Sequence, residues 1–392
     1  MAYTGITQPL NTTAFGELAT ATKSPRIQLQ FAYNINRDEV SVSVTGNATV
    51  YQSQPFAVCS ATATNTSATL VSKNNLHYRT GQGGLVFFTS IFTTGKENST
   101  QLVGLGSETD GLFFGYSGTV FSILRRDNGT EYWIHQSTWN SDPLDGTGSS
   151  SMILDPTLGN VYKIQYQWLG FGAINFFVEN PALGSLSLVH QIKYANSSTV
   201  TTLFNPSLPL YIQAKNGSNN TNITVKVPSM AAFVEGELIN TGLLNSIYRE
   251  QVVDLTGTNI VTIQNKPTFS GITNRKYVQP LMVSLADAAG TDAIFSLTLN
   301  PTFSSSNYID ISTDTSVVSY TVSNPATAQG PLITGGRVLA TFFVDAGLST
   351  TIDISDLNII LNANDLLSLS GRPVGAGADI TVRGAIMWNE QF

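Results

Sequence analysis

Val161-Tyr-Lys-Ile-Gln-Tyr-Gln-Trp168 decides the fold. Tyr162, Ile164, Tyr166 and Trp168 alternate with Lys163, Gln165 and Gln167, so an extended chain presents one aromatic and one polar face, the period of a half-buried β-strand. Leu169-Gly-Phe-Gly172 follows as a turn and Ala173-Ile-Asn-Phe-Phe-Val178 as the returning strand of a hairpin. Working outward, Leu186, Leu188, His190, Ile192 and Tyr194 alternate in the same way. Gly111 to Tyr116, Ser117-Gly118 and Thr119 to Leu124 form a second hairpin, closed before Arg125-Arg-Asp-Asn-Gly129. No segment sustains a helical period. Hairpins dominate, so the sheets are expected to be antiparallel.

Composition agrees. Of 392 residues, 42% are hydrophobic, which excludes general disorder, while only 11% are charged, under half the roughly 25% of an ordinary soluble domain. The polar surface is therefore mostly Asn, Thr, Ser, Gln and Gly, residues that form helices poorly and suit strand faces and turns. The length favours two domains. Residues 1–24 read as an N-terminal arm or a peripheral strand. Residues 25–238 read as one large β-sandwich, with a polar loop at Asn216-Gly-Ser-Asn-Asn-Thr-Asn222 and a closing run Phe233-Val-Glu-Gly-Glu237. Residues 239–392 carry fewer aromatics and strand-like runs at Val278–Leu285, Ala293–Leu299, Val317–Val322 and Arg337–Val344, and end in a strand from Ala378 to Trp388. A second, smaller sandwich, of jelly-roll or immunoglobulin type, is expected there. The fold class is all-β with tandem antiparallel sandwiches.

A net charge of −7 and a pI near 4.9, without any cluster of Lys or Arg, argue against a nucleic-acid partner. Cys59 is alone, so no intramolecular disulfide forms. The N-terminus lacks the basic start and apolar core of a secretory leader, and no apolar run reaches membrane-spanning length, so synthesis in a cytosol without membrane insertion is expected. Nine Asn-x-Ser/Thr sequons, at Asn11, Asn47, Asn65, Asn98, Asn128, Asn196, Asn216, Asn219 and Asn222, are about what so Asn-, Ser- and Thr-rich a chain yields by chance.

Three stretches carry a resemblance: His77 to Phe88, Gly111 to Gly118, and Asn160 to Glu179. Over residues 25–238 the chain resembles a domain of tail-fibre, vertex and minor capsid proteins of bacteriophages and large DNA viruses, which is similar to a concanavalin- or laminin-G-type sandwich. The resemblance implies a virion setting and no particular reaction. With it come expectations of other virion proteins as partners, a homo-oligomer such as a homotrimer, contact with host-surface glycans, and location on the virion.

Little chemistry is visible. His77, His135 and His190 lack metal-ligand spacing, and His190 lies on an apolar strand face, as a hydrogen-bonded core histidine would. Cys59 lies in the apolar run Phe56-Ala-Val-Cys-Ser60 and reads as an inert buried thiol. Gly104-Leu-Gly106 and Gly146-Thr-Gly148 lack the rest of a phosphate loop and read as turns. The Glu-x-Asp-x-Glu strand associated with glycan-cleaving concanavalin-like enzymes is absent; Glu108, Asp110, Glu131, Asp142, Asp145, Asp155 and Glu179 are scattered, mostly in expected turns. No catalytic residues, no metal site and no enzyme are expected. A glycan-binding site is a stronger lead: Tyr132, Trp133, Trp139 and Asn140 flank the acidic loop of Asp142 and Asp145, where rings stack on sugars and amides or carboxylates meet hydroxyls. Asp142 and Asp145 are also candidates for a calcium ion. Against this, a Trp at a strand end is more often core. Three readings follow: a virion structural protein, a carbohydrate-binding adhesin, and a polysaccharide hydrolase or lyase with Glu179 and Asp145 as its carboxylates.

Overall fold

The computed structural model describes residues 21–236, 242–303, 307–322, 332–375 and 379–391. The chain is nearly all-β, and contacts divide it into two compact units, residues 1–238 and 239–392. Of the expected arm, residues 1–20 lie outside the described residues, while Lys23 and Ser24 already belong to a strand.

Two antiparallel sheets make the first unit. In one, β13 (Ser185–Ile192), β12 (Ile174–Asn180), β11 (Asn160–Tyr166), β6 (Gly83–Phe92), β15 (Ile223–Val227), β4 (Phe56–Ala61) and β3 (Thr49–Ser53) lie in that order; β16 (Ser229–Glu235) pairs with both β6 and β1 (Lys23–Gln30). The other is ordered β10 (Thr130–His135), β9 (Val120–Asp127), β8 (Gly111–Ser117), β7 (Ser99–Gly106), β14 (Leu208–Asn216), β5 (Thr66–Leu76) and β2 (Val40–Thr45). The expected aromatic strand is β11: Tyr162, Ile164 and Tyr166 are buried, and Tyr162 pairs with Val178 across the hairpin. Tyr162 stacks on Phe88 at 5.3 Å and meets Phe114 of the facing sheet at 4.9 Å, so its ring joins the two layers. Burying each such ring contributes about 1.5–3 kcal/mol. A Cβ on Gly172 would strike the Gln167 carbonyl oxygen, which is why the hairpin turn ends on glycine.

Two expectations need correcting. The alternation read from Leu186 to Tyr194 breaks at Val189, because a bulge opposite Phe176 and Phe177 buries Val189 and His190 together. Gly104-Leu-Gly106 is not a turn but the end of β7. A Cβ on Gly106 or Gly111 would collide with the Phe113 ring, so glycine there serves the close approach of an aromatic.

In the second unit Leu243–Val253, Ile380–Gln391, Tyr277–Asp287 and Ser349–Asp353 form a four-stranded sheet in that order. A six-stranded sheet runs Asn307–Asp310, Val318–Val322, Thr258–Asn265, Leu366–Pro373, Ala293–Leu299 and Arg337–Val344. Trp388, Phe295, Val261, Leu369 and Ile386 fill the core between them. Glu390 is fully buried there: its carboxylate accepts from Ser316 Oγ and the Val317 amide at 2.7 Å each, and from Asn245 Nδ2 and Trp388 Nε1 at 2.9 Å each.

Candidate functional site

Alternation along the seven-stranded sheet sends one residue set into the core and the next to the outward face. Register places Trp133, Leu124, Phe113, Gly104, Tyr211, Val71 and Ser41 in one outward row, and His135, Ser122, Gly115, Leu102, Gln213, Thr69 and Ser43 in the next. At the β8–β10 end the face is filled by its own side chains. Leu102, Phe113, Leu124 and Tyr211 form a small cluster with Trp133 packed against it. Tyr211 meets Phe113 edge-on at 5.4 Å, and the Arg126 guanidinium lies 5.3 Å from the Phe113 ring centre.

At the β2–β5–β14 end the face opens into a cavity of about 650 Å³. Residues bearing hydroxyls and amides are the most numerous in its lining, Ser43, Thr45, Ser67, Thr69, Gln213 and Asn65 among them, and Val71 and Tyr211 add apolar surface; Glu108 and Lys215 are the two charged residues. Glu108, exposed on the β7–β8 loop, accepts from the Tyr211 hydroxyl at 2.5 Å and from Gln213 Nε2 at 3.3 Å. Burial, and then the Glu108 carboxylate, push the Tyr211 phenol well above its ordinary value, so it stays a proton donor at physiological pH; Arg126 opposes this in part. A second carboxylate lies along the face. Glu131 takes Arg126 Nη2 at 2.8 Å and Trp133 Nε1 at 3.0 Å, while Arg126 Nη1 donates to the Ser107 carbonyl next to Glu108. The arrangement supplies a polar trough, an aromatic edge and two hydrogen-bonded carboxylates on one face, with the Arg126 guanidinium bonded to Glu131 and to the backbone beside Glu108.

The residues singled out by sequence are not one cluster. Trp133 stands half-buried on the outward face, whereas Trp139 is 5% exposed, packed edge-on against Phe114 and Phe121 and bonded through Nε1 to the Ile134 carbonyl. Its ring faces are taken, so it belongs to the core. Asn140 spends both ends of its amide on the Gln191 backbone. Asp142 is 2% exposed and accepts from the Leu144 and Ser150 amides and Ser149 Oγ; Asp145 caps Thr147 in an exposed turn. The oxygens proposed for calcium are engaged by the loop itself, and among the described residues no group of three His, Cys, Asp or Glu is placed to hold a metal. Glu179 lies on β12 in the other sheet, and Asp110 and Asp155 accept backbone amides of nearby loops. His190 is buried, with Nδ1 accepting from the Asn140 amide. Sequence reading missed Glu108, Arg126, Tyr211 and Gln213 as a group, because Tyr211 and Gln213 reach Glu108 only through the place of β14 between β7 and β5.

No protein-family model and no curated protein matches the chain. Solved structures do. The carbohydrate recognition domain of Emp46p is 12% identical over 54% of this chain and 96% of its own, with a TM-score of 0.35. LamA of Z. galactanivorans, in complex with laminaritriose and laminaritetraose, is 12% identical over 54% of this chain and 98% of its own, also at 0.35. A β-glucanase of Bacillus licheniformis is 11% identical over 55% and 99%, again at 0.35. The expectation that the chain is not an enzyme is overturned, because glucanases and transglycosylases stand among the similar structures. A missing strand motif was too narrow a ground for that exclusion.

Proposed function

We propose that the first unit binds a neutral carbohydrate in the trough on the outward face of its seven-stranded sheet, as a lectin-like module. One observation carries the reading: a cavity of about 650 Å³ lined mostly by Ser, Thr, Asn and Gln, with apolar surface from Val71 and Tyr211 and with one carboxylate and one ammonium. Sugar hydroxyls both donate and accept, and such a lining matches them without the desolvation cost of buried charge. Trp133 offers an apolar edge for a ring at the far end of the same face. Ser67→Trp tests this by filling the trough from β5. The wild type is expected to bind neutral oligosaccharides on a glycan array, and the variant, folded by circular dichroism, is expected to bind none; equal signals, or none from the wild type, sink the reading.

A second reading is favoured by two carboxylates on that face, Glu108 held by Tyr211 and Gln213 and Glu131 held by Arg126 and Trp133. Glycan cleavage uses a carboxyl pair, one protonating the leaving oxygen and the other attacking or activating water. If the face is catalytic, new reducing ends appear with β-glucans and vanish in both Glu108→Gln and Glu131→Gln. Activity that survives both places the chemistry elsewhere.

As the setting we propose the exterior of a virion, with the chain assembling as a homo-oligomer through low-charge β surfaces. The support is compositional: at 11% charge, contact faces can be buried with little desolvation. Recovery of the chain with purified particles tests it, and its absence from them refutes it.

A further inference from the structure

We propose that the first unit is N-glycosylated at turn asparagines, most of them crowded on one rim of its sandwich. All nine sequons precede residue 239. Residues 1–238 hold 19 Asn among 52 Ser and Thr, and residues 239–392 hold 12 Asn among 33 Ser and Thr, so hydroxyl residues are equally frequent in both. Random placement then yields roughly four sequons in the first unit and two to three in the second. Nine and none are observed. The chance explanation drawn from overall composition fails once the units are separated.

Turn chemistry does not account for the difference either. Asn65, Asn98, Asn128 and Asn196 in the first unit, and Asn300, Asn358 and Asn364 in the second, all adopt left-handed backbone with φ from 46° to 75°, where Asn is favoured. Each of the first four has Ser or Thr two residues on. In the second unit Asn300 is followed by Pro301, which blocks the sequon, and Asn358 and Asn364 are followed at that position by Ile360 and Leu366. The same local geometry carries the acceptor pattern in one unit only.

The positions converge in space. The Asn65 amide donates to the Gly217 carbonyl and the Gly217 amide to the Asn98 carbonyl, both at 2.7 Å. Thr62 Oγ1 reaches the Asn47 carbonyl at 3.3 Å and Ser60 Oγ reaches Asn222 Oδ1 at 3.1 Å. The β2–β3, β4–β5, β6–β7 and β14–β15 connections thus form one rim, while Asn128 lies on the β9–β10 turn and Asn196 beyond β13. Asn47, Asn65, Asn98, Asn128, Asn196 and Asn222 are exposed. Asn216 is 1% exposed, and its Nδ2 donates to the Ala61 and Thr221 carbonyls at 3.1 and 2.9 Å, so it is walled off from any enzyme acting on the folded rim. Asn219 Nδ2 donates to Asn216 Oδ1 at 3.2 Å.

The reaction is a group transfer. The acceptor amide nitrogen attacks the anomeric carbon of a lipid-pyrophosphate-linked oligosaccharide; the new C–N bond forms as the anomeric C–O bond breaks, the lipid pyrophosphate leaves with the electron pair, and the amide proton passes to a base of the transferase. Nothing is oxidised or reduced. The inference does not rest on the trough, although Asn65 lines it, and it requires the chain to meet that transferase, contrary to the cytosolic route expected from its N-terminus.

The full-length protein, purified from the cells or particles that naturally contain it, is digested, treated with peptide-N-glycosidase in heavy-oxygen water and sequenced by mass spectrometry, with an untreated digest as the control for spontaneous deamidation. Labelled Asp is expected at several of Asn47, Asn65, Asn98, Asn128, Asn196 and Asn222, with Asn216 and the whole second unit unlabelled. Unmodified peptides across all six exposed sites, or label confined to Asn216, overturn the proposal.

Discussion

Asp142→Asn separates a loop anchor from a ligand-binding carboxylate. Asp142 Oδ1 accepts from the Leu144 amide at 2.9 Å, and Oδ2 from the Ser150 amide at 2.7 Å and Ser149 Oγ at 3.3 Å. These bonds fold the loop back so that the Leu154 amide meets the Leu144 carbonyl at 2.9 Å and Leu144 enters the core fully buried. Asparagine keeps an oxygen for Leu144 but turns an NH2 toward the Ser150 N–H. A charge-assisted bond worth about 1.5–3 kcal/mol is lost, and part of an unsatisfied-donor penalty of about 1–3 kcal/mol is added, reduced because Ser149 and Ser150 can relax toward water. The expected loss is about 2–3 kcal/mol, and for Asp142→Ala, which removes all three acceptors, about 3–5 kcal/mol. Urea unfolding followed by tryptophan fluorescence reads this well, since Trp139 packs three residues away. The midpoint should fall at unchanged slope. If Asp142→Asn unfolds within about 0.5 kcal/mol of wild type yet loses glycan binding, the anchor argument is wrong and the carboxylate is a ligand.

Three further outcomes are expected. Burial holds the His190 imidazole below its ordinary 6.5, and the neutral ring accepts the Asn140 amide, so its contribution is present above pH 6.5 and is lost as pH falls through the folded-state value; a pH series of denaturant midpoints should flatten there in His190→Gln. Glu390→Leu strips four donors, three of them buried, of their acceptor and should cost the second unit at least about 3 kcal/mol, with a fully native melting curve as the contrary result. Burial pushes the Cys59 thiol up to about 12, so a maleimide should label it only after unfolding; rapid labelling of native protein would show that β4 opens.

Strands with one wet face were legible and strands buried on both were less so. Val161–Trp168 announces itself because Lys163 and Gln165 remain partly solvated between buried rings. In Thr258–Asn265 both faces are covered, and polar residues that look like surface are hydrogen-bonded to one another: Thr262 Oγ1 donates to Asn259 Oδ1 at 2.8 Å, and Asn259 Nδ2 to Thr321 Oγ1 at 2.9 Å. Alternation therefore carries no signal there. The break at Val189 was hidden for a related reason, since a bulge shifts the phase of a strand without any change in the residue types that compose it.

The candidate site was illegible because its parts meet through sheet order rather than through spacing. Tyr211 and Gln213 lie about a hundred residues from Glu108, and they meet it because β14 inserts between β7 and β5. No local pattern encodes that insertion. Trp133 and Trp139 show the converse: six residues apart and similar in sequence context, they part because Trp133 keeps the outward phase of β10, while the 3-10 turn Gln136–Thr138 carries the chain over the sheet edge and drops Trp139 into the core. Composition near a strand end proposes an aromatic platform; only the phase of the strand decides which face it serves. The same logic bears on Glu108 and Glu131, dismissed as turn residues when taken singly. A carboxylate at a turn is usually a cap, as Asp142, Asp145 and Asp155 are, each accepting a nearby backbone amide. Glu108 instead accepts a phenol and an amide from a strand far away in sequence, and that direction, away from its own loop and onto a shared face, is what marks it for substitution first.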